Sequence, residues 1–250
     1  MKPIMLGGAA LALLTASAFA ADLPMAPAYA PPPAPPPFTW TSCYGGLHGG
    51  GGIGQKNLTD TAGVLSPITG YSTANLNING YMLGGQLGCD YQFSPNWVVG
   101  IEGSVSGGNI HGSTTVAVPG IAAGDTATYN ATTDFLWSVT ARVGWAWDRW
   151  MLFAKGGVAG AGDKYNTFDA FQNYNFQGLE NRYGWTAGAG VEWAFSSDWS
   201  VKLEYNYYGF GTKTVTFIDS TLAATSGPLN INQNIQTIML GINFHAYAGP

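Results

Sequence analysis

Apolar and polar residues alternate through the stretch Asp134–Trp150, DFLWSVTARVGWAWDRW. In an extended chain, Phe135, Trp137, Val139, Ala141, Val143, Trp145 and Trp147 share one face, and Ser138, Thr140, Arg142 and Gly144 share the other. A period of two over this length predicts a β-strand, because a helix brings residues to one face every 3.6 positions. The run is long beside the usual strand of about 5–6 residues. One face is wholly aromatic and aliphatic, while an arginine sits in the middle of the other. A strand that crosses a bilayer needs roughly 9–11 residues, with lipid-facing and lumen-facing positions alternating. The competing reading is a half-buried strand in a large soluble β-sandwich.

The same pattern recurs along the chain. Thr39–Gly54 is a first strand, weakly patterned and rich in Gly. The second places Tyr81, Leu83, Leu87, Cys89, Tyr91 and Phe93 against Met82, Gln86, Asp90 and Gln92; the third places Trp97, Val99, Ile101 and Val105 against Glu102, Ser104 and Ser106. The Asp134 stretch is the fourth. A fifth runs from Trp150 to about Gly162, with Lys155 on its polar face. The sixth opposes Tyr183, Trp185, Val191, Trp193 and Phe195 to Thr186 and Glu192. The seventh opposes Trp199, Val201, Leu203, Tyr205 and Tyr207 to Lys202, Glu204 and Asn206. The eighth opposes Ile238, Leu240, Ile242 and Phe244 to Thr237, Asn243 and His245.

Tight turns bracketed by aromatics join three pairs of these strands: Phe93 to Trp97, Trp147 to Trp150 and Phe195 to Trp199. Rings with an apolar body and a polar edge anchor at a membrane interface, so these turns mark one rim. Polar segments Asn57–Asn77, Gly107–Thr133, Asp163–Asn181 and Lys213–Asn232 read as long loops on the opposite side. Short turns alternating with long loops predict an all-β fold: an eight-stranded antiparallel transmembrane β-barrel with short periplasmic turns and long extracellular loops. Closure also removes strand edges, which a bilayer cannot hydrate.

Composition agrees. Only 9% of residues are charged, against about 25% in ordinary soluble proteins, while 14% are aromatic and 36 are Gly. Hydrophobic residues reach 46%, too few for a multi-helix membrane protein. A soluble secreted barrel with an apolar interior would need the aromatic and charged faces to swap. The net charge of −5 makes nucleic acid a poor partner.

Lys2, the apolar run Ile4–Leu14 and Ala18-Phe19-Ala20 form a signal peptide with a small-x-small cleavage site, so residues 1–20 are expected to be removed. Export follows, and the absence of Cys after the cleavage site argues against a lipoprotein anchor. Residues 21–38 form a Pro/Ala-rich periplasmic segment that favours polyproline II. It is expected to act as a linker, or alternatively to meet a cell-envelope polymer. The barrel is expected over 39–247 and a tail over 248–250.

Six charges fall inward in mid-barrel: Glu102, Arg142, Lys155, Glu192, Lys202 and Glu204, with Asp90 nearer the lower rim. Unpaired charges there would cost several kcal/mol each, so a salt-bridged plug is expected. A gated ion path or proton relay lined by the same groups is the functional alternative. His48, His111 and His245 lack metal-ligand spacing, and no set of Ser, His and acid can be assembled for catalysis. Gly49–Gly52 lacks the Lys-Ser/Thr of a phosphate loop. Neither enzyme nor cofactor is expected. Cys43 and Cys89 lie at the turn-side ends of neighbouring strands in an exported chain, which favours a disulfide. It would close a loop of about 45 residues and stabilise by up to roughly 3–4 kcal/mol in the chain-entropy model.

The Ala20-Ala21-Asp22-Leu23-Pro24 start, Trp40-Thr41, the Gly84-Gly85-Gln86-x-Gly88 run, the turn–Trp pattern and the closing Gly241-Ile-Asn-Phe244 give the chain a resemblance. It resembles the outer-membrane immunogenic protein family of alpha-proteobacteria, which includes surface antigens and hemin-binding proteins on an OmpA-type barrel. The resemblance covers nearly the whole chain. It implies the outer membrane of a Gram-negative cell, with lipid and lipopolysaccharide as surroundings, and it admits heme at His111 with Tyr165 and Tyr174. Such barrels end on an aromatic residue, whereas this chain continues past Phe244 through Tyr247 to Pro250, so either ring is the candidate assembly signal. The expected role is envelope integrity and surface contact. A narrow porin-like channel and a loop-borne binder of heme or host molecules are the alternatives.

Overall fold

The computed structural model describes residues 38–60, 73–117, 126–169, 174–215, 218–219 and 229–246. The expected signal peptide, most of the Pro/Ala segment, Tyr247 and the tail lie outside these residues. Among the described residues nine strands are formed: β1 Ser42–Asp60, β2 Thr73–Gln92, β3 Trp97–Ala117, β4 Thr126–Trp147, β5 Trp150–Asp169, β6 Tyr174–Ala194, β7 Trp199–Val215, β8 Ile218–Asp219 and β9 Leu229–Ala246. β8 is a two-residue piece that pairs with the upper end of β6. The other eight pair antiparallel in sequence order, and β9 returns to β1 to close the barrel.

The turns fall where the aromatics place them. The amide of Phe93 donates to the carbonyl of Trp97, and that of Ser196 to Trp199. Asp148, in the two-residue turn Asp148-Arg149, has φ 55°; Asp tolerates this left-handed region, which tight hairpin turns use. Phe93, Trp97, Trp147, Trp150, Phe195 and Trp199 are all exposed on the outer face. Around the rim, rings pack in pairs: Trp97 with Trp145, Trp150 with Trp193, and Trp199 with Phe244.

A second girdle lies ten residues up the same strands, from Tyr91 to Tyr81, from Trp147 to Trp137 and from Trp193 to Tyr183. Trp137 contacts Tyr183, and Trp185 contacts Tyr207. Ten residues of a strand tilted by about 40° rise about 25 Å, the height of the apolar band on barrels of this kind. Between the girdles the outer face carries Leu47, Leu83, Leu87, Ile101, Val105, Val139, Leu152, Val158, Leu203, Leu240 and Ile242, all exposed.

The expected loops are corrected. β1 runs on to Asp60 and β2 begins at Thr73, so much of Asn57–Asn77 is strand. Likewise β3 reaches Ala117 and β4 starts at Thr126, β5 reaches Asp169 and β6 starts at Tyr174, and β7 reaches Val215 before β9 starts at Leu229. These upper extensions stand above the second girdle, where water surrounds the barrel and the polarity inverts. Gln55, Asn57, Asn75 and Asn77 face outward, while Leu58, Leu76, Ile78 and Ile231 are buried inside. Bulges at Gly107/Ile110, Thr133/Phe135 and Gly209/Gly211 mark the transition. At the lower end the first strand begins at Ser42, not Thr39. The preceding Trp40 turns into the barrel mouth and is buried against Val98, Ala146, Met151, Phe153 and Ala194.

Candidate functional site

The lumen is the candidate site, and each strand contributes its inward positions to it. All six residues Glu102, Arg142, Lys155, Glu192, Lys202 and Glu204 point inward and are buried. Arg142 of β4 donates through Nε to Asp90 Oδ1 on β2 at 2.7 Å, and through Nη2 to Asp90 Oδ2 and to Glu192 Oε2 on β6, the latter at 3.2 Å. Its guanidinium also lies over the Tyr44 and Phe153 rings. Glu102 of β3 is the second hub. Lys155 of β5 reaches its Oε1 at 2.8 Å, and Lys202 of β7 reaches Oε2 at 2.7 Å. The Tyr44 hydroxyl donates to Oε2 at 2.8 Å. Both lysines also hold Glu204, at 2.9 and 3.2 Å. No charge in this group stands alone.

Asp90, set nearer the rim by sequence, is a full member, because it lies in register with Arg142 across Gly100 of β3. The periplasmic end adds polar partners that sequence reasoning left apart. His245 Nδ1 lies 2.9 Å from Ser42 Oγ, and its Nε2 lies 2.9 Å from Ser200 Oγ and 3.6 Å from Glu192 Oε1. Ser200 Oγ and Asn243 Nδ2 donate to the same Glu192 oxygen at 2.5 and 2.8 Å. Serine, histidine and glutamate therefore meet here, although no sequence spacing brings them together. Hydrolysis would also need an accessible nucleophile and an oxyanion pocket. Ser42, Ser200, Glu192 and His245 are at most 6% exposed, and Trp40 packs edge-on to His245. Higher up, His48 bridges Gln86 and Ser106 and serves as a packed hydrogen-bonding group.

Above the charges the lumen turns apolar. Met82, Ile110, Leu136, Ile235 and Met239 fill the bore, each at most 2% exposed. Over this layer sits a second ionic cluster. Asp163 of β5 pairs with Lys56 of β1 at 3.0 Å and with Arg182 of β6 at 3.3 Å, and accepts from Thr133 Oγ1 at 2.5 Å. Arg182 also donates to the Ile231 carbonyl at 2.9 Å and reaches Glu180 at 3.4 Å. The sequence hid this cluster because its residues fall at the edges of polar stretches that read as loops.

Of the three residues admitted for heme, His111 and Tyr165 do not converge. His111 faces outward from β3, whereas Tyr165 is buried inside β5, with Lys56 Nζ 4.5 Å from its ring centroid. The Tyr174 side chain lies outside the described residues. Among the described residues, no group of three or more His, Cys, Asp or Glu could hold a metal ion. Cys43 and Cys89, opposite each other in the β1–β2 register, form a disulfide on the outer face near the periplasmic rim.

Residues 7–244 match the profile of the outer membrane protein beta-barrel domain. The chain is 28% identical over 251 residues to the 31 kDa outer-membrane immunogenic protein of Brucella melitensis, with 98% of this chain and 99% of that one covered. Among solved structures it is similar to the outer membrane protein OprG from Pseudomonas aeruginosa, with a TM-score of 0.52 at 9% identity over 83% of this chain and 97% of that one. It is also similar to the outer membrane protease OmpT from Escherichia coli, with a TM-score of 0.50 at 8% identity over 84% and 98%. At such identities the two structures establish a shared fold and nothing about chemistry.

Proposed function

Because the chain belongs to the family of the outer membrane protein beta-barrel domain and resides in the outer membrane, we propose that it acts as a closed barrel, serving envelope integrity and surface contact through its exterior. The lumen is a structural plug. The observation that carries this reading is the sequence of fillings along the bore: Trp40 in the mouth, the network around Arg142 and Glu102, the Met82–Ile235 apolar layer, and the cluster at Asp163. An eight-stranded barrel has an interior just wide enough for side chains to fill. A water file would have to pass the layer around Met82 and Ile235, where the inward Thr237 and Tyr208 carry hydroxyls but packed side chains fill the bore.

No catalytic role is proposed. The one Ser–His–Glu arrangement among the described residues lies sealed under Trp40, with its serine hydroxyls already engaged. Conductance of the refolded mature chain in a planar bilayer tests the plug. A silent bilayer with the barrel shown to be inserted is the expected result. Reproducible discrete openings that change on Glu102→Gln or Arg142→Met would replace the plug with a narrow channel.

A further inference from the structure

Above the upper girdle, the outer faces of β2, β1, β9 and β7 carry amides and hydroxyls in register. Asn75 pairs with Asn57, Asn57 with Asn232, and Asn232 with Thr212. The row below joins Asn77, Gln55 and Asn234, and the row above joins Thr73, Thr59, Asn230 and Thr214. None of these residues is ionisable. Asn232 Nδ2 donates to Thr212 Oγ1 at 3.1 Å, and Thr214 Oγ1 to Asn230 Oδ1 at 2.7 Å, whereas Gln55, Asn57, Asn75 and Asn77 are exposed.

Directly beneath these rows the surface is notched at Gly51. The groove, of about 470 Å³, is lined by Gly51, Ile53, Asn79, Tyr205, Gln236 and Ile238. Ile53 and Ile238 are each 60% exposed and make an apolar wall. Asn79 and Gln236 flank Ile53 in register, and the Tyr205 hydroxyl donates to Gln236 Oε1 at 2.8 Å. A Cβ at Gly51 would meet only the Gly80 carbonyl, at an ordinary contact distance, so the notch opens outward.

We propose that this notch and the amide rows above it bind the sugar headgroup of a glycolipid of the surrounding outer leaflet, of the lipopolysaccharide type. The surface is continuous with the lipid-facing band, since β1 passes from Leu47 through Gly51 to Asn57 without a break. A molecule anchored by acyl chains against Ile53 and Ile238 must present its headgroup to the rows. Side-chain amides offer a donor and an acceptor together, which suits neutral hydroxyls. The exposed cations Lys164 and Lys213, which would select phosphate, are paired with Asp134 and Glu180. This assignment stands apart from the lumen plug, whose test reads conductance.

The test uses the folded barrel in zwitterionic micelles, titrated with rough lipopolysaccharide, with lipid A lacking the core sugars, and with lipid-free core oligosaccharide, while its thermal unfolding midpoint is followed. Rough lipopolysaccharide is expected to raise the midpoint more than lipid A does. Gly51→Leu, which fills the notch, and the triple variant Asn57→Ala/Asn75→Ala/Asn232→Ala should erase that difference while keeping the response to lipid A. Ser113→Ala/Asn130→Ala, a pair opposed in register on the exposed faces of β3 and β4, should leave it intact. Equal shifts from lipid A and rough lipopolysaccharide would overturn the proposal, as would retention of the difference in the variants or an equal shift from the lipid-free oligosaccharide. Should the triple variant fail to fold, Gly51→Leu alone decides.

Discussion

Arg142 shows what a single inward charge contributes. It satisfies two carboxylates on different strands, Asp90 and Glu192, and lies between the Tyr44 and Phe153 rings. Removing one member of a buried ion group leaves its partners charged and unsolvated, which typically costs about 3–5 kcal/mol. Arg142→Met is therefore expected to lower stability by about that amount in urea unfolding of the micelle-embedded barrel. Adding Asp90→Asn and Glu192→Gln should recover part of the loss. A loss below about 1 kcal/mol would mean that the carboxylates find other cations and that the network is loosely held. The pattern reading found Arg142, Glu102 and Glu192 by their parity within strands. Parity could not find Trp40 or Ser42 because the first strand is Gly-rich and almost without alternation.

At the scale of the element, the bulges explain where the pattern was lost. In β4, even-numbered residues face inward from Leu136 to Arg142, whereas Ala131 and Thr133 face inward above the bulge. An extra residue on one strand reverses which side chains face the core. Alternation counted from Trp147 upward therefore fails at Asp134, and the polar remainder reads as a loop. Deleting Asp134 alone would remove the bulge and leave Thr133 and Ala131 inward, whereas deleting Thr133 and Asp134 together should turn Ala131 out and place Thr132 and Asn130 against the apolar core. The expected outcome of the double deletion is a large fall in the folded fraction, read as loss of the heat-dependent shift in gel mobility. Retention of the shift with unchanged stability would mean that the register can slip without penalty.

At the scale of the molecule, the barrel is two tubes of opposite polarity joined end to end. Between the girdles it is apolar outside and ionic inside; above them it is polar outside and apolar inside, apart from the Asp163 cluster. Each solvent sets the face it touches, because burying a polar group without a partner and exposing a large apolar one are both unfavourable. A lysine on the outer face should therefore report which tube it occupies. Leu47→Lys, near mid-bilayer, is expected to destabilise by about 2–4 kcal/mol, and Ser113→Lys above the girdle by no more than about 1 kcal/mol. Equal costs in denaturant titrations of lipid-embedded protein would place the membrane boundary elsewhere.

Taken by itself, the sequence determined the number of long strands, their order and the grouping of the short turns at one end; it placed six charges on inward parities and favoured, without fixing, a disulfide between Cys43 and Cys89. These are consequences of local alternation, of turns closed by aromatics and of neighbouring strands pairing, and none requires knowledge of distant contacts. Only the tertiary structure decided how far the strands continue, that Lys56, Asp163 and Arg182 meet, that Asp90 and His245 join the lower network, and that Trp40 fills the mouth. These depend on barrel closure and strand tilt. Those two features set the height at which residues from different strands meet, and a one-dimensional pattern carries no record of height.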